Sequence, residues 1–372
     1  MQKKLISLGL MSGTSGDGVD ASLIETNGIN QYEILKDKYF QYDSGIYQEI
    51  HSLKDKIHKI EHLENFKKEI NNLERKITIF HAKVIDQFNL RDETIIGFHG
   101  QTIYHNFEEK ISRQLGNGKL LNQLTKKNIV YDFRSNDIKN GGQGAPLTPI
   151  FHNLICTQNK IKLPVCFLNI GGISNITLVT NNNELSELIS EDIGPGNCLI
   201  DSWVRKNSTK KFDENGNLAL RGEKNQIILE QAQELYINRN NKKKLSYDTN
   251  DFDISFARGL SLEDGAATLT DFTASIIGEK LTLALKKSVQ KVKVLLLCGG
   301  GRKNKVLIKR IKENLSPEIN IKLIDEYGAN GDFIESQAFA FLAVRNLMNL
   351  PISFPKTTGC RQPSLGGVLI KN

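Results

Sequence analysis

The chain has 372 residues, of which 39% are hydrophobic and 24% charged, and its formal net charge is +7. At roughly 150 residues per domain, that length points to two domains. No apolar run reaches the roughly 20 residues that a membrane span needs. Lysines interleave with glutamates along helical stretches such as 54–76, and only Lys242-Lys243-Lys244 is a dense run. That pattern reads as solvated helix faces and speaks against nucleic acid as a partner. A mild positive field still favours an anionic nucleotide. The five cysteines (Cys156, Cys166, Cys198, Cys298 and Cys360) include no C-x-x-C pair. They argue against a disulfide framework and a structural zinc site, and fit a reducing cytoplasm. Met1-Gln2-Lys3-Lys4 ahead of an apolar segment is not read as a secretion signal, because the segment is short and enters a glycine turn.

In chain order, Leu5 to Met11 is expected as a strand, then a Gly/Ser/Thr/Asp turn, then strands at Val19 to Glu25 and Tyr32 to Phe40 joined at Asn27-Gly28. Residues 45–90 show helical spacing with mixed charge, enough for two helices. A short strand, Thr94 to Phe98, ends in His99-Gly100-Gln101-Thr102; a helix follows at 120–127 and a strand at 129–133. The stretch Asn140-Gly141-Gly142-Gln143-Gly144-Ala145-Pro146 is the expected domain crossing. The plan then restarts: Val165 to Ile170 is a strand, Gly171-Gly172 a turn and Ser174 to Thr180 a strand, which repeats the opening of the chain. Helices are expected at 196–206, from the Ser261 cap to about Lys287, from about Lys303, and at 332–347. Strands are expected at 292–298, 319–324 and 367–370.

Three strand-to-glycine turns stand out, at 9–20, 169–175 and 298–304. Phosphate oxygens need several backbone N–H donors at short range, and glycine lets the backbone come close. In the first turn Ser12, Gly13, Thr14, Ser15, Gly16, Gly18 and Val19 accompany two carboxylates, Asp17 and Asp20. The carboxylates repel phosphate, so they fit Mg²⁺ or its waters better. Taken singly, each turn reads equally well as a tight hairpin, and none is a Walker A sequence. Asp192, in Asp192-Ile193-Gly194-Pro195-Gly196-Asn197, is a general base or metal ligand at the end of a strand, or else a helix cap. Arg134 suits a carboxylate or phosphate. By themselves, His99 reads as a packed histidine, Glu335 as a residue favoured by the helix dipole, and His51, His58, His62 and His81 as surface residues.

Together these segments resemble the 1,6-anhydro-N-acetylmuramic acid kinase family. The resemblance is carried by Gly9-Leu10-Met11-Ser12-Gly13-Thr14-Ser15 with Asp17-Gly18-Val19-Asp20, Phe98-His99-Gly100-Gln101-Thr102, Asp132-Phe133-Arg134, Gly141 to Leu147, Asn169 to Asn175, Gly194-Pro195-Gly196-Asn197, Cys298-Gly299-Gly300-Gly301, and Glu335 before Ala338-Phe339-Ala340. Departures are Ile193, where the family often has Thr, and a polar insert around Asn238 to Lys244. The resemblance implies an α/β fold, the two-domain architecture of actin-like ATPases and sugar kinases with a nucleotide cleft between domains. Domain I would span 1–140 plus about 345–372, and domain II 141–344. It implies ATP and Mg²⁺, the latter at Asp17 and Asp20 directly or through water. Gly171 and Gly172 would face phosphate, and Gly299, Gly300 and Gly301 the adenosine. Asp192 matches the proposed base, and His99, Gln101, Arg134 and Glu335 match substrate positions. The implied reaction opens the anhydro ring with water and phosphorylates O6, in the cytoplasm, by an enzyme that tends to form homodimers. The alternatives are a kinase of another hexose or N-acetylhexosamine, and a non-catalytic actin-like protein.

Overall fold

The computed structural model describes residues 3–182, 184–239 and 246–372. The Lys242-Lys243-Lys244 run, and the polar insert from residue 240 on, lie outside the described residues. The strands are β1 (Leu5–Ser12), β2 (Gly18–Thr26), β3 (Tyr32–Gln41), β4 (Ile95–Asn106), β5 (Ile111–Leu115), β6 (Asn128–Tyr131), β7 (Val165–Ile170), β8 (Ile173–Val179), β9 (Ile189–Pro195), β10 (Val294–Cys298), β11 (Asn320–Leu323) and β12 (Val368–Ile370). The chain forms two compact units: Met1–Ile161 with Asn181–Ile189 and Asp332–Asn372, and Lys162–Thr180 with Ser190–Gly331.

The first unit carries a sheet in the order β12-β6-β4-β1-β2-β3, with β5 paired to β4. Strands β1 and β2 are antiparallel, whereas β1, β4 and β6 run parallel. Alternation decides which side chains meet which layer. Leu8, Leu10, Val19 and Ala21 point into a core with Ile46, Ile50 and Leu53 of the helix Ser44–Lys54 and Ile70, Leu73 and Ile77 of the helix Lys67–Ile85. Each of the leucine, isoleucine and valine side chains contributes about 1.5–3 kcal/mol by leaving water. The opposite face is covered by the helix Ile334–Leu347. Gly9 and Gly97 are register partners in β1 and β4, and a Cβ on either would collide with that helix's backbone, at Ser336 and Phe339 respectively. The two glycines therefore form a shallow trough that the helix fills.

The second unit carries the order β11-β10-β7-β8-β9. Here too an antiparallel pair, β7 with β8, lies beside parallel neighbours, β10 and β11. Matched strand for strand, β6-β4-β1-β2-β3 and β11-β10-β7-β8-β9 are one plan used twice. The repeat read at Leu5 and Val165 is therefore architectural, and the fold is the expected two-domain α/β architecture. The helix Leu262–Leu285 opens on Ser261, whose hydroxyl accepts from the Asp264 N–H at 3.0 Å.

Three expectations change. Strand β4 runs on to Asn106 and turns back as β5, because Gly100 takes a φ of +76° beside a register shift that lets the strand continue. The glycine-rich stretch at 140–146 folds back within the first unit: the Gln143 N–H donates to the Thr358 carbonyl at 2.8 Å, and the Gly144 N–H to Asp137 Oδ2 at 2.8 Å. The chain leaves that unit at Ile161 instead. The helix Pro149–Gln158 also belongs there, since the Gln158 amide exchanges two hydrogen bonds, of 2.8 and 2.7 Å, with the Tyr32 backbone. The units thus differ from the expected ranges 1–140 with 345–372, and 141–344. No helix among the described residues is long and apolar enough to cross a membrane.

Candidate active site

In the first unit the expected site residues lie in the turn after β1, within β4 where its pairing with β1 ends, and just after β6. The turn after β1 closes with the Gly16 N–H donating to the Gly13 carbonyl at 3.1 Å, and Gly16 adopts a φ of +64°. Lys54 Nζ donates to the Thr14 carbonyl at 2.7 Å and Gln101 Nε2 to the Gly13 carbonyl at 2.9 Å. Two carbonyls of the turn are thereby engaged by side chains. The N–H groups of Thr14 and Ser15 have no partner among the described residues. That arrangement suits an anion.

Strand alternation sends the expected donors of this turn in different directions. The Ser12 hydroxyl is buried on the helical face, 2.8 Å from the Tyr42 hydroxyl and 3.4 Å from His81 Nε2. Its side chain is thus engaged with Tyr42 and His81. Val19 is fully buried in the core. The Ser15 hydroxyl donates to Asp17 Oδ1 at 2.6 Å. His81, read from its charged helix as a surface residue, is buried; its Nδ1–H donates to the Ile77 carbonyl at 2.8 Å, and burial lowers its pKa to about 4. Burial, together with the charges of Asp17 and Asp20, pushes the Tyr39 phenol up, so both carboxylates lie near that ring.

His99 and Arg134 form one polar unit. Arg134 Nε and Nη2 both donate to His99 Nε2, at 3.2 and 2.9 Å, and His99 Nδ1–H donates to the Gly100 carbonyl at 2.7 Å. Burial first, and then the Arg134 charge, hold the His99 pKa well below its usual value. Arg134 Nη1 donates to the Gly144 carbonyl at 2.7 Å. Gly144 is in turn held by Asp137, a fully buried carboxylate that also accepts from the Thr358 hydroxyl at 2.7 Å. The sequence reading missed Asp137, although it stands between Arg134 and the glycine stretch. Glu335 lies in the first turn of the helix Ile334–Leu347. Its neighbour Ser336 meets Ser22 at 2.7 Å, and alternation puts Asp20 on the same sheet face as Ser22.

In the second unit three glycine turns converge. The Gly196 N–H donates to the Gly172 carbonyl at 2.9 Å and the Asn197 N–H to the Gly171 carbonyl at 2.8 Å. Gly299 (φ +78°) lies against Asn169 and Ile170, and Gly301 against Ile170 and Asn197. Gly300 has open space where a side chain would sit. Ser174 Oγ and Asn175 Oδ1, beside the first of these turns, are buried atoms without a hydrogen-bond partner among the described residues. The third turn is braced by Arg302, also missed from sequence, which pairs with Asp325 through two bonds of 2.9 and 3.0 Å.

Asp192 lies within β9 and is 8% exposed. It caps no helix: Asn197 holds that position, and Asp192 Oδ2 instead accepts from the Tyr247 N–H at 2.8 Å. The carboxylate is thus oriented and largely withdrawn from water. Among the described residues no group of three or more His, Cys, Asp or Glu could enclose a metal ion. Asp17, which accepts from the Ser15 hydroxyl, and Asp20 are the carboxylates that would hold an Mg²⁺ through its waters.

Two units of one strand order, with glycine turns at the ends of their strands, define the class as a two-domain α/β protein. A family model described as anhydro-N-acetylmuramic acid kinase matches residues 5–372. An anhydro-N-acetylmuramic acid kinase of Pelagibacter ubique (strain HTCC1062) is 54% identical over 375 residues, covering 100% of both chains. Relatives of the same name from Agrobacterium fabrum and Zymomonas mobilis are 34% and 36% identical, with 98% of this chain covered by each and 98% and 99% of the relatives. The chain belongs to the anhydro-N-acetylmuramic acid kinase family. Two solved structures are looser matches: the activator of 2-hydroxyisocaproyl-CoA dehydratase from Clostridium difficile with bound ADPNP (12% identity, TM-score 0.42, 93% and 96% covered), and component A of (R)-2-hydroxyglutaryl-CoA dehydratase from Acidaminococcus fermentans (13%, 0.44, 92% and 99%).

Proposed function

We propose that the chain uses ATP, water and 1,6-anhydro-N-acetylmuramic acid to make N-acetylmuramic acid 6-phosphate and ADP, as a step in reuse of cell-wall sugar. The observation that carries this reading is the full-length family match, to which the buried, backbone-held carboxylate of Asp192 adds a base of the right kind. Asp192 accepts a proton from the water that attacks the anomeric carbon. The C1–O6 bond breaks through an oxocarbenium-like transition state. The released O6 attacks the γ-phosphorus, and ADP leaves. Mg²⁺, when bound, would neutralise charge on the transferring phosphoryl group, held near Asp17 and Asp20 through water.

The backbone of Gly13 to Gly18 and the turn at Gly171-Gly172 receive phosphate in this proposal, and Gly299 to Gly301 the adenosine. Arg134 and Glu335 act on the sugar. Both ring nitrogens of His99 are engaged, so His99 aims Arg134 and does not itself bind the sugar. Gln101 holds the carbonyl of Gly13. A cytoplasmic location and pairing into homodimers belong to the same reading. The test is ADP release with 1,6-anhydro-N-acetylmuramic acid, with the product weighed by mass spectrometry. The expected product has gained both water and a phosphoryl group. A product that gains phosphoryl alone, or turnover only with ordinary hexoses, overturns the proposal.

A further inference from the structure

We infer that Arg302 and Asp325 are a positioning pair that sets the Gly299–Gly301 turn for its nucleotide; this deepens, and rests on, the reading of that turn as adenosine-facing. The Arg302 side chain is 6% exposed and Asp325 is 38% exposed. The guanidinium meets the carboxylate side-on, Nε to Oδ2 at 2.9 Å and Nη2 to Oδ1 at 3.0 Å. Its remaining edge donates from Nη1 to the Gly299 carbonyl at 3.1 Å. The Gly299 N–H donates to the Gly331 carbonyl at 3.0 Å, and the Gly331 N–H reaches Asp325 Oδ1 at 3.4 Å. Both backbone groups of Gly299 are therefore fixed, one by Arg302 and one by a residue tied to Asp325. Gly331 lies against Arg302 so closely that a Cβ there would stand 2.6 Å from Nε.

Burial works against the Asp325 charge, but the hydrogen bond and charge of Arg302 hold its carboxyl below the usual range. A buried guanidinium is expensive unless paired, and here the partner cancels its charge. Arg302 is thus not poised as a phosphate ligand. What it supplies is geometry: a planar fork spans a carboxylate and a carbonyl at once, which a lysine ammonium cannot do. The result is a Gly299 locked at positive φ, with Gly300 exposed and unobstructed beyond it.

The experiment is calorimetric titration of ADP, without sugar, into the full chain and its Arg302→Lys, Asp325→Asn and Asp325→Glu variants, alongside melting temperatures and sugar KM. Arg302→Lys and Asp325→Asn are expected to weaken ADP binding about tenfold, the loss of one charge-assisted hydrogen bond. Sugar KM stays near that of the parent, Asp325→Asn lowers the melting temperature because it leaves the buried Arg302 charge unpaired, and Asp325→Glu recovers part of the affinity. ADP affinity that is unchanged in both variants overturns the inference. So does a loss of ADP affinity that merely tracks a fall in melting temperature and an equal rise in sugar KM. A parent chain that binds ADP in this Arg302-dependent way yet does not phosphorylate the anhydro sugar removes the proposed activity and leaves the pair's role standing.

Discussion

Arg134 donates to His99 Nε2 from two of its nitrogens, while His99 donates its Nδ1–H to the Gly100 carbonyl. The histidine is held neutral and in one tautomer, and it fixes the guanidinium plane. Arg134→Lys keeps a charge but loses the fork. The expected result is a sugar KM raised about 10- to 100-fold, the worth of one charge-assisted hydrogen bond, with ATP KM little changed. Steady-state kinetics with each substrate varied in turn checks it; an equal rise in both constants would show a general loss of structure.

Asp192→Asn is expected to lower kcat by about 10²–10⁴, the range for loss of a general base. The amide oxygen can still accept from the Tyr247 N–H, so melting temperature should hold. A near-normal kcat removes Asp192 from the role of base.

Buried histidines make stability depend on pH. His81, lowered to about 4, and His152, lowered to about 3, are buried by the fold and titrate near 6.5 when unfolded. Their folded pKa values are depressed, so the unfolded chain binds more protons as pH falls below about 6.5. The stability they contribute is present above that pH and is lost progressively down to the folded values. For His81 alone the loss amounts to about 3 kcal/mol between pH 6.5 and 4. Urea midpoints measured from pH 7.5 down to 4.5 should fall, and His81→Gln should flatten the slope.

The trough under the helix Ile334–Leu347 gives a stability test. Gly97→Ala forces a methyl group into the Phe339 backbone and is expected to cost about 3 kcal/mol or more. Gly300→Ala meets nothing within 4 Å and should leave the melting temperature unchanged. Equal melting temperatures for the two variants would refute the close approach.

Much of the site was legible because its chemistry lies in the backbone. Glycine turns after apolar strands announce themselves locally, and so do the repeated opening at Leu5 and Val165 and the capped helix at Ser261. Asp192 was legible as a carboxylate beside a strand end, though its rival reading as a helix cap needed the Tyr247 contact to settle it. The sequence by itself therefore determined most of the strands, though not β5 or the full length of β4, together with the positions of the turns and the family. Tertiary structure decided where side chains point and whom they meet. It turned the Ser12 hydroxyl toward Tyr42 and His81, buried His81 in a helix that looks polar, and joined Arg134 to Asp137 through Gly144 and Arg302 to Asp325 across 23 residues. The physical reason is that strand alternation assigns a residue to one face or the other, but only long-range packing decides which layer covers that face and which distant donor stands opposite.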